Sequence, residues 1–353
     1  MAGNTDARLR VVVAVPLSEG DCRFIEAREP RIELIRDHEL LPPMRHAADF
    51  AGDPSFVRTS AQQSRFRAMV DSADVLFGVP DMSPAELKRT ADNNPRLRWV
   101  QTMAAGGGSQ VEAAGLSERQ LGRIAFSTSA GVHAQMLAEF AIFGVFAGAK
   151  TLPRLVRQQR DHQWSERWAM QRVVGQTALV VGLGNIGRRV AEQLAALGVV
   201  VIGVGRRTLD SNGVHKVVHP RELAAVAAEV DVVIAALPGT AKTRGILGAE
   251  FFAALKPGAV VVNVGRGSVI DEAELIVALQ DGRVSFAALD VFDSEPLDAA
   301  SLLWELPNVL VSPHTAALSE DEEHQIAELF AENATRFLDG VELVNHVDPV
   351  EFY

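Results

Sequence analysis

Residues 177–197 read TALVVGLGNIGRRVAEQLAAL and combine a strand, a glycine-rich turn and a helix. Residues 178–181 are apolar and predict a buried strand. Glycines follow at G-x-G-x-x-G spacing, and beyond them Val190, Leu194 and Leu197 recur at the interval of one helix face. A glycine loop that follows a strand and opens a helix is typical of dinucleotide binding.

Each glycine of the loop has its own expected task. Gly182 lets the strand turn tightly, Gly184 leaves room for a pyrophosphate, and Gly187 lets the helix pack closely on the strand. The phosphates would sit on the unpaired N–H groups at the helix N-terminus. A strand–helix turn that binds no nucleotide is the alternative that the motif alone leaves open.

Composition narrows the class of protein. The chain has 353 residues, of which 48% are hydrophobic, so we expect two domains with sizeable cores. The net charge of −11 argues against a nucleic-acid or membrane partner. The single cysteine, Cys22, excludes an internal disulfide and a multi-cysteine metal site and fits a reducing cytoplasm. No signal peptide or membrane-length apolar stretch is found, so we expect a cytoplasmic protein. We also expect no bound metal.

Strand-like and helix-like stretches alternate along the rest of the chain, and such alternation predicts parallel sheets. Residues 38–70 show no clear period and stay unassigned. The loop at Ala105 and Gly106 follows a predicted strand and is a second candidate ligand-binding edge, with a flexible turn as the alternative. The predicted strands lie within residues 9–16, 31–35, 74–80, 97–103, 124–127, 199–204, 230–237, 259–264, 286–291 and 309–311, and the predicted helices lie within 84–93, 132–150, 251–255, 271–280 and 319–338.

Residues 150–173 are basic and aromatic. Trp164 and Trp168 lie among arginines, as interface anchors often do. We interpret this segment as an exposed arm or a subunit contact and not as a nucleic-acid site.

The segment after the strand at residues 199–204 bears on the choice of cofactor. NAD-binding units usually place an acidic residue here, where it binds the ribose 2′-hydroxyl. This chain has Gly205 followed by Arg206, Arg207 and Thr208, which suits a 2′-phosphate. The sequence therefore favours NADP(H) over NAD(H), and a solvated turn is the alternative.

Three polar residues follow three successive predicted strands: Arg266, Glu295 and His314. An arginine can grip a carboxylate with two hydrogen bonds and polarise an adjacent carbonyl. A histidine can give or take a proton near neutral pH, and a carboxylate on its other ring nitrogen fixes its orientation. Each residue alone is compatible with an ordinary loop position, but their clustering predicts a hydride-transfer enzyme.

At this point the chain resembles the D-isomer-specific 2-hydroxyacid dehydrogenase family, and in particular its glyoxylate/hydroxypyruvate reductase-like members. The resemblance is carried by VVGLGNIGRRVA, VVNVGRGSVIDEAEL, ALDVFDSEPL and NVLVSPHTA. It is strong from Thr128 to Ala317 and weaker in LRWVQTMAAG and the C-terminal helix. It implies that Arg266 binds the substrate, that His314 is the catalytic acid/base and that Glu295 supports the histidine.

The resemblance also assigns ligand contacts along the chain. Gly184, Asn185 and Ile186 match the pyrophosphate loop, and Asp290 matches an aspartate near the nicotinamide. The loop at Ala105 and Gly106 matches the one whose amides receive the substrate carboxylate. Further cofactor-lining positions match at Leu237, Pro238, Thr243, Val264 and Gly265.

The family architecture implies an α/β protein of two Rossmann-like domains with parallel sheets, in which the cofactor domain is inserted into a split substrate domain. We expect the substrate domain at residues 1–127 and 318–353, the cofactor domain at 128–317, and a homodimer. The chain departs from the family pattern at Thr315–Ala317, where glycines are frequent, and at Gly107–Gln110, where a valine and an aspartate are frequent.

The predicted function is the reduction of a 2-keto acid to a D-2-hydroxy acid, or the reverse reaction, with NADP(H) or alternatively NAD(H). Glyoxylate and hydroxypyruvate are the favoured substrates. A nucleotide-sensing protein without catalysis and a relative that acts on formate or phosphite are the alternatives that the sequence leaves open.

Overall fold

The computed structural model describes residues 8–206 and 212–352. Contacts divide the chain into a unit formed by residues up to His133 and from Leu318 onward, and a unit formed by Ala134–Ala317. The first junction lies six residues beyond the predicted one, after residue 133 and not after residue 127. The intervening residues belong to the terminal unit because the Asn345 amide donates to the carbonyl oxygens of Thr128 and Ala130 at 3.3 and 2.6 Å.

The described residues contain twelve strands and twelve α-helices. The strands are β1 (Leu9–Val13), β2 (Ile32–Ile35), β3 (Val75–Phe77), β4 (Trp99–Gln101), β5 (Ala125–Ser127), β6 (Thr177–Val181), β7 (Val200–Val204), β8 (Lys216–Val218), β9 (Val232–Ala235), β10 (Ala259–Asn263), β11 (Val284–Leu289) and β12 (Val309–Val311). The helices are α1 (Glu19–Arg28), α2 (Ser60–Val70), α3 (Pro84–Asn93), α4 (Gly108–Ala113), α5 (Glu118–Leu121), α6 (Ala134–Ala149), α7 (Leu152–Arg160), α8 (Asn185–Ala196), α9 (Leu223–Ala227), α10 (Ala249–Ala254), α11 (Glu272–Gln280) and α12 (Glu322–Leu338).

The terminal unit is built on a parallel sheet of order β2-β1-β3-β4-β5, which is the flavodoxin-like order. Helix α12 returns the chain to this sheet and packs against α1. Phe330 of α12 stacks on Trp99 of β4 with a ring separation of 4.9 Å, and neither residue is exposed. The C-terminal helix is therefore part of the core of this unit.

The central unit contains a parallel sheet of order β12-β11-β10-β9-β6-β7-β8. Counted from β6, this is the Rossmann order with one additional strand. The order reverses between β6 and β9, so the glycine loop after β6 lies at the point where such sheets bind ligands. Helix α6 packs on α8 and on strands β10 and β11.

The predicted strands are all present, several of them shorter than expected, and the fold class is confirmed. Helix α3 begins at Pro84, and the Ser83 hydroxyl accepts a hydrogen bond from the N–H of Glu86 at its N-terminus, as predicted. The long C-terminal helix begins at Glu322 and not at Ser319. The unassigned stretch contains α2, which the N-cap Thr59 and Gln62 begin with a reciprocal capping box.

The segment predicted as an arm begins with helix α7. Arg154 of this helix lies over the ring of Trp168 at 3.8 Å, while Trp164 is fully exposed. Among residues 8–206 and 212–352, no single helix is long and apolar enough to cross a membrane. Helices α6 and α7 meet that requirement only when taken together, and they are bent by 68°.

Candidate active site

The loop after β6 forms an open cradle of backbone amides. Gly182 has φ +106°, which glycine adopts without strain. A methyl group on Gly187 would lie 1.8 Å from the carbonyl oxygen of Gly182, whereas one on Gly184 would meet nothing within 4 Å. Gly184 is the N-cap of α8 and is exposed. The space beside this N-cap fits a phosphate group, because the first helical amides point toward it and no side chain caps them.

The residues predicted to select the cofactor lie only partly within the described structure. Arg206 directly follows β7 and Gly205, and it is exposed. Arg207 and Thr208 lie outside the described residues. Strand β7 ends at Val204, so Gly205 and Arg206 occupy the position after the strand that an acidic residue usually takes.

Arg266 lies on a tight turn at the carboxyl end of β10. The buried Asn263 closes this turn, since its amide oxygen accepts from Gly265 N at 3.1 Å and its amide nitrogen donates to the carbonyl oxygen of Arg266 at 3.1 Å. The guanidinium also donates to the carbonyl oxygen of Gly265 at 2.8 Å. The Arg266 side chain is exposed, and the turn fixes the point from which it extends.

Glycines on both sides of Arg266 bring neighbouring loops together. A methyl group on Gly265 would lie 2.6 Å from the carbonyl oxygen of Leu237, after β9. One on Gly267 would lie 1.8 Å from the carbonyl carbon of Phe292, after β11. The loops after β9, β10 and β11 thus contact one another through backbone, and a side chain at either glycine would separate them.

His314 and Glu295 form a hydrogen-bonded pair. His314 Nδ1 lies 2.7 Å from Glu295 Oε2, and Phe292 N donates to Glu295 Oε1 at 3.0 Å. Burial opposes ionisation of Glu295, but these hydrogen bonds and the charges of His314 and Arg266 outweigh it and lower the pKa of the carboxyl. Because an ionised carboxylate only accepts hydrogen bonds, Nδ1 carries the hydrogen and Nε2 is left for a substrate.

The turn that carries His314 is itself held by a carboxylate. Asp290 directly follows β11 and is 1% exposed. Its Oδ1 atom accepts hydrogen bonds from the Ser312 hydroxyl at 2.6 Å and from the amides of Thr315 and Ala316 at 3.0 Å each. The structure therefore brings together Arg266, Glu295, His314 and Asp290 at the ends of the adjacent strands β10, β11 and β12.

A separate side-chain cluster lies in the terminal unit. Ligand atoms of Glu19, Cys22 and His38 lie within 4.8 Å of one another. However, the Arg36 guanidinium engages both Glu19 oxygens, at 2.8 and 2.9 Å. Burial also raises the pKa of the Cys22 thiol to about 12. We assign the cluster as an ion-paired structural group.

Comparison with known proteins identifies the family of the chain. Residues 142–316 match the NAD-binding domain of D-isomer-specific 2-hydroxyacid dehydrogenases. A glyoxylate reductase of Aeropyrum pernix is 32% identical over 258 residues, which cover 70% of this chain and 75% of the relative. The chain belongs to the D-isomer-specific 2-hydroxyacid dehydrogenase family. It is therefore an NAD(P)-dependent oxidoreductase.

Solved structures resemble this dehydrogenase over nearly its whole length. A D-isomer-specific 2-hydroxyacid dehydrogenase of Xanthobacter autotrophicus in complex with NADPH and MES gives a TM-score of 0.75 at 28% identity, covering 98% of this chain and 100% of that one. An NADPH-dependent glyoxylate/hydroxypyruvate reductase of Sinorhizobium meliloti, in complex with NADP and sulfate, gives 0.74 at 26% identity with the same coverage.

The remaining residues that the sequence predicted to bind the cofactor differ in their exposure. Val264 is only 2% exposed and packs in the core of the central unit. Leu237 and Pro238 follow β9, and the Thr243 hydroxyl donates to the carbonyl oxygen of Pro238 at 2.6 Å, which closes that loop. Asn185 is exposed and Ile186 half-buried in the first turn of α8.

Ala105 and Gly106 are exposed at the carboxyl end of β4, in the terminal unit. The Ser109 hydroxyl donates to the carbonyl oxygen of Gly106 at 2.9 Å and so braces the loop. Sequence reasoning missed the supporting roles of Asn263 and Ser312. Their only signal was that each is a polar residue in an otherwise apolar strand end, next to a predicted site residue.

Proposed function

We propose that this dehydrogenase interconverts a small 2-keto acid and the corresponding D-2-hydroxy acid, with glyoxylate or hydroxypyruvate as the keto acid and NADP(H) as the preferred cofactor. The observation that carries the proposal is the His314–Glu295 hydrogen bond of 2.7 Å on strand ends adjacent to that of Arg266. The names of the Aeropyrum and Sinorhizobium relatives support the choice of substrate.

Arg266 binds the substrate in this proposal. Its exposed guanidinium offers two parallel N–H donors to a carboxylate, and it can also polarise the adjacent keto oxygen. Ala105 and Gly106, in the terminal unit, are a further proposed contact for a substrate carboxylate, as the family resemblance implies.

His314 transfers the proton. In the reducing direction its Nε2–H donates to the keto oxygen, and in the oxidising direction Nε2 accepts the hydroxyl proton. Glu295 holds the ring through Nδ1 and stabilises the imidazolium by its charge. When bound, the nicotinamide supplies or accepts the hydride at the C2 atom of the substrate.

The cofactor preference is tested separately from the chemistry. Arg206→Ala and Arg207→Ala should raise the KM for NADPH more than the KM for NADH, because a 2′-phosphate is present only on the former. Lys216→Ala is the matched control, since Lys216 is an exposed cation at the opposite end of the neighbouring strand β8. Equal increases in the KM for NADPH and for NADH would indicate that the two arginines belong to a solvated turn and do not bind the 2′-phosphate.

The substrate is tested by following absorbance of NADPH and NADH with glyoxylate, hydroxypyruvate, pyruvate and phenylpyruvate. We expect turnover with glyoxylate or hydroxypyruvate and a preference for NADPH. Turnover restricted to phenylpyruvate would support the proposed reaction and show that glyoxylate and hydroxypyruvate are not its substrates. Cofactor binding without turnover of any acid would favour a sensor over an enzyme.

We further propose a cytoplasmic homodimer, without a nucleic-acid or membrane partner, that associates through the surface of α6, α7 and the following arm. Phe143, Val156 and Trp164 on this surface are 47%, 54% and 102% exposed, which is unusual for such large apolar side chains. The net charge of −11 supports the absence of a nucleic-acid or membrane partner, and the single, buried cysteine supports the cytoplasmic location. Light scattering of the wild type and of Trp164→Glu tests the dimer.

A further inference from the structure

We propose that the segment from Val344 to Phe352, here called the tail, positions the loop that carries Ala105 and Gly106. The proposal rests on the proposed function, in which that loop contacts the substrate carboxylate. Both elements belong to the terminal unit, the loop at the carboxyl end of β4 and the tail after α12. The proposal gives the tail a role in substrate binding in addition to its place in the fold.

The loop ends in two glycines that leave no room for a side chain. A methyl group on Gly107 would lie 1.8 Å from the hydroxyl oxygen of Thr102. One on Gly108 would lie 1.9 Å from the carbonyl oxygen of Phe352 and 2.7 Å from its carbonyl carbon. Thr102 is buried and held in place, since its hydroxyl donates to the carbonyl oxygen of Ser127 at 3.1 Å. The loop is therefore confined by the end of β4 and by the backbone of the tail.

This confinement accounts for a departure of the sequence from the family pattern. Family members frequently have a valine and an aspartate at positions 107–110, whereas this chain begins that stretch with Gly107 and Gly108. A valine or an aspartate at either glycine would collide with Thr102 or with Phe352. The glycines make room for the tail, and the tail fills the space that side chains would otherwise occupy.

Hydrogen bonds and packing hold the tail along its length. The buried Asn333 of α12 accepts from Val344 N at 2.7 Å and donates to the carbonyl oxygen of the same residue at 3.1 Å. Val347 is 3% exposed, and its N–H donates to the carbonyl oxygen of Phe126 at 2.8 Å. Phe352 is partly buried and packs against the core of the terminal unit. These contacts fix the tail, so it can hold a neighbouring loop in place.

A turn closed by Asp348 brings Phe352 to Gly108. Asp348 Oδ1 accepts hydrogen bonds from the amides of Glu351 and Val350 at 2.9 and 2.8 Å, and these bonds lower the pKa of the carboxyl. Phe352 N donates to the carbonyl oxygen of Asp348 at 2.8 Å. Asp348 is exposed, so its replacement should loosen this turn without disturbing the core.

The test compares Asp348→Ala, Asp348→Asn and the control Glu342→Ala, in which an exposed acid just before the tail is removed. We expect Asp348→Ala to raise the KM for the keto acid by about tenfold, the size of one hydrogen bond to a charged group. The kcat should change little, because the substrate carboxylate is bound equally in the ground state and the transition state. The Kd of NADPH should stay unchanged.

Asp348→Asn retains an acceptor oxygen and should recover part of the affinity for the keto acid, and Glu342→Ala should behave as the wild type. A KM that is unchanged in Asp348→Ala would overturn the proposal. A loss of kcat with an unchanged KM would also overturn it, since the loop would then not bind the substrate through the tail.

The substitution Gly108→Ala tests whether the loop and the tail compete for one space. In the wild-type background the methyl group should displace the loop and raise the KM for the keto acid. In the Asp348→Ala background the same substitution should have a smaller effect, because the loosened tail can move aside. If the two effects on KM simply multiply, Phe352 does not confine the loop and the proposal is overturned.

A readout independent of turnover tests the contact itself. Hydrogen exchange in residues 105–110 should become faster in Asp348→Ala and should remain as in the wild type in Glu342→Ala. Unchanged exchange of this loop in Asp348→Ala would overturn the proposal. Faster exchange in a protein whose wild type turns over no keto acid would uphold the contact and reject only the proposed function.

Discussion

His314 Nδ1 lies 2.7 Å from Glu295 Oε2, although the two residues come from different strand ends of the sheet. The loop after β11 carries the acid and the loop after β12 carries the base. Because β11 and β12 are parallel neighbours, both loops emerge at the same edge. The pairing orients the imidazole and leaves Nε2 for the reacting oxygen.

Replacing Glu295 by Gln should lower kcat by about 100-fold, because the imidazolium loses its stabilising charge and the ring its orientation. In the wild type the pKa of Glu295 is lowered, so its carboxylate should remain ionised and cause no loss of activity between about pH 5 and 8.

Steady-state pH profiles of the wild type, Glu295→Gln and Glu305→Gln test this expectation. Glu305 is an exposed glutamate of the same unit and is the matched control. A Glu295→Gln profile that coincides with the wild-type profile would remove the carboxylate from the mechanism.

Replacing Arg266 by Lys retains the positive charge but removes the bidentate geometry. We expect the KM for the keto acid to rise by about tenfold or more and kcat to fall, since the guanidinium both binds the carboxylate and polarises the carbonyl. Arg266→Ala should be more severe. The Kd of NADPH is the internal control, and kinetics equal to the wild type in both variants would exclude the substrate role.

The sequence predicts the chemistry-bearing residues because they stand at strand ends, and strand ends are visible in apolar runs. Arg266, Glu295 and His314 each follow such a run, so the parallel sheet brings them to one edge. The sequence predicted that Glu295 supports His314, but it did not predict the distance between them. That distance depends on loop conformation, which apolar periodicity does not determine.

The supporting contacts are less visible in the sequence. Asn263 and Ser312 read as ordinary strand-end residues, and their roles depend on which carbonyls and carboxylates the folded loops bring within reach. Helix α2 was missed because residues 38–70 contain few apolar residues in phase, although Thr59 and Gln62 carry a capping-box pattern. The first domain junction lies after residue 133 and not after the predicted residue 127, because Asn345 donates a hydrogen bond to the carbonyl oxygen of Ala130. Such a contact between residues distant in sequence is not visible in the sequence pattern.

A pH-dependent stability term is expected in the terminal unit, at the contact between α1 and α12. His324 Nδ1 lies 2.6 Å from Asp21 Oδ1, and this hydrogen bond, with the charge of Asp21, raises the pKa of His324. A raised histidine pKa contributes stability below the unfolded value of about 6.5, and the contribution is lost as the pH rises through the folded value.

His324→Gln should therefore lower the free energy of unfolding most between about pH 5 and 6.5, and progressively less above that range. His324 is half-exposed, so we expect a loss of less than about 1 kcal/mol. Urea denaturation at several pH values measures it, with the exposed His46→Gln as control. A difference that grows with rising pH would contradict the assigned direction.

Two alanine substitutions in the glycine loop separate folding from cofactor binding. Gly187→Ala places a methyl group 1.8 Å from the carbonyl oxygen of Gly182, so we expect a loss of about 1–3 kcal/mol in the free energy of unfolding, together with weaker NADPH binding. Gly184→Ala meets nothing within 4 Å, so its stability should change by no more than about 1 kcal/mol.

Nevertheless, Gly184→Ala should weaken NADPH binding, because the added methyl group stands where the pyrophosphate must approach the amides at the start of α8. Thermal denaturation without cofactor and fluorescence titration with NADPH measure the two effects independently. Retained affinity in a stable Gly184→Ala variant would show that the phosphates bind elsewhere. Weakened affinity at unchanged stability would place them on this loop, since only a ligand could sense a methyl group that the folded chain does not contact.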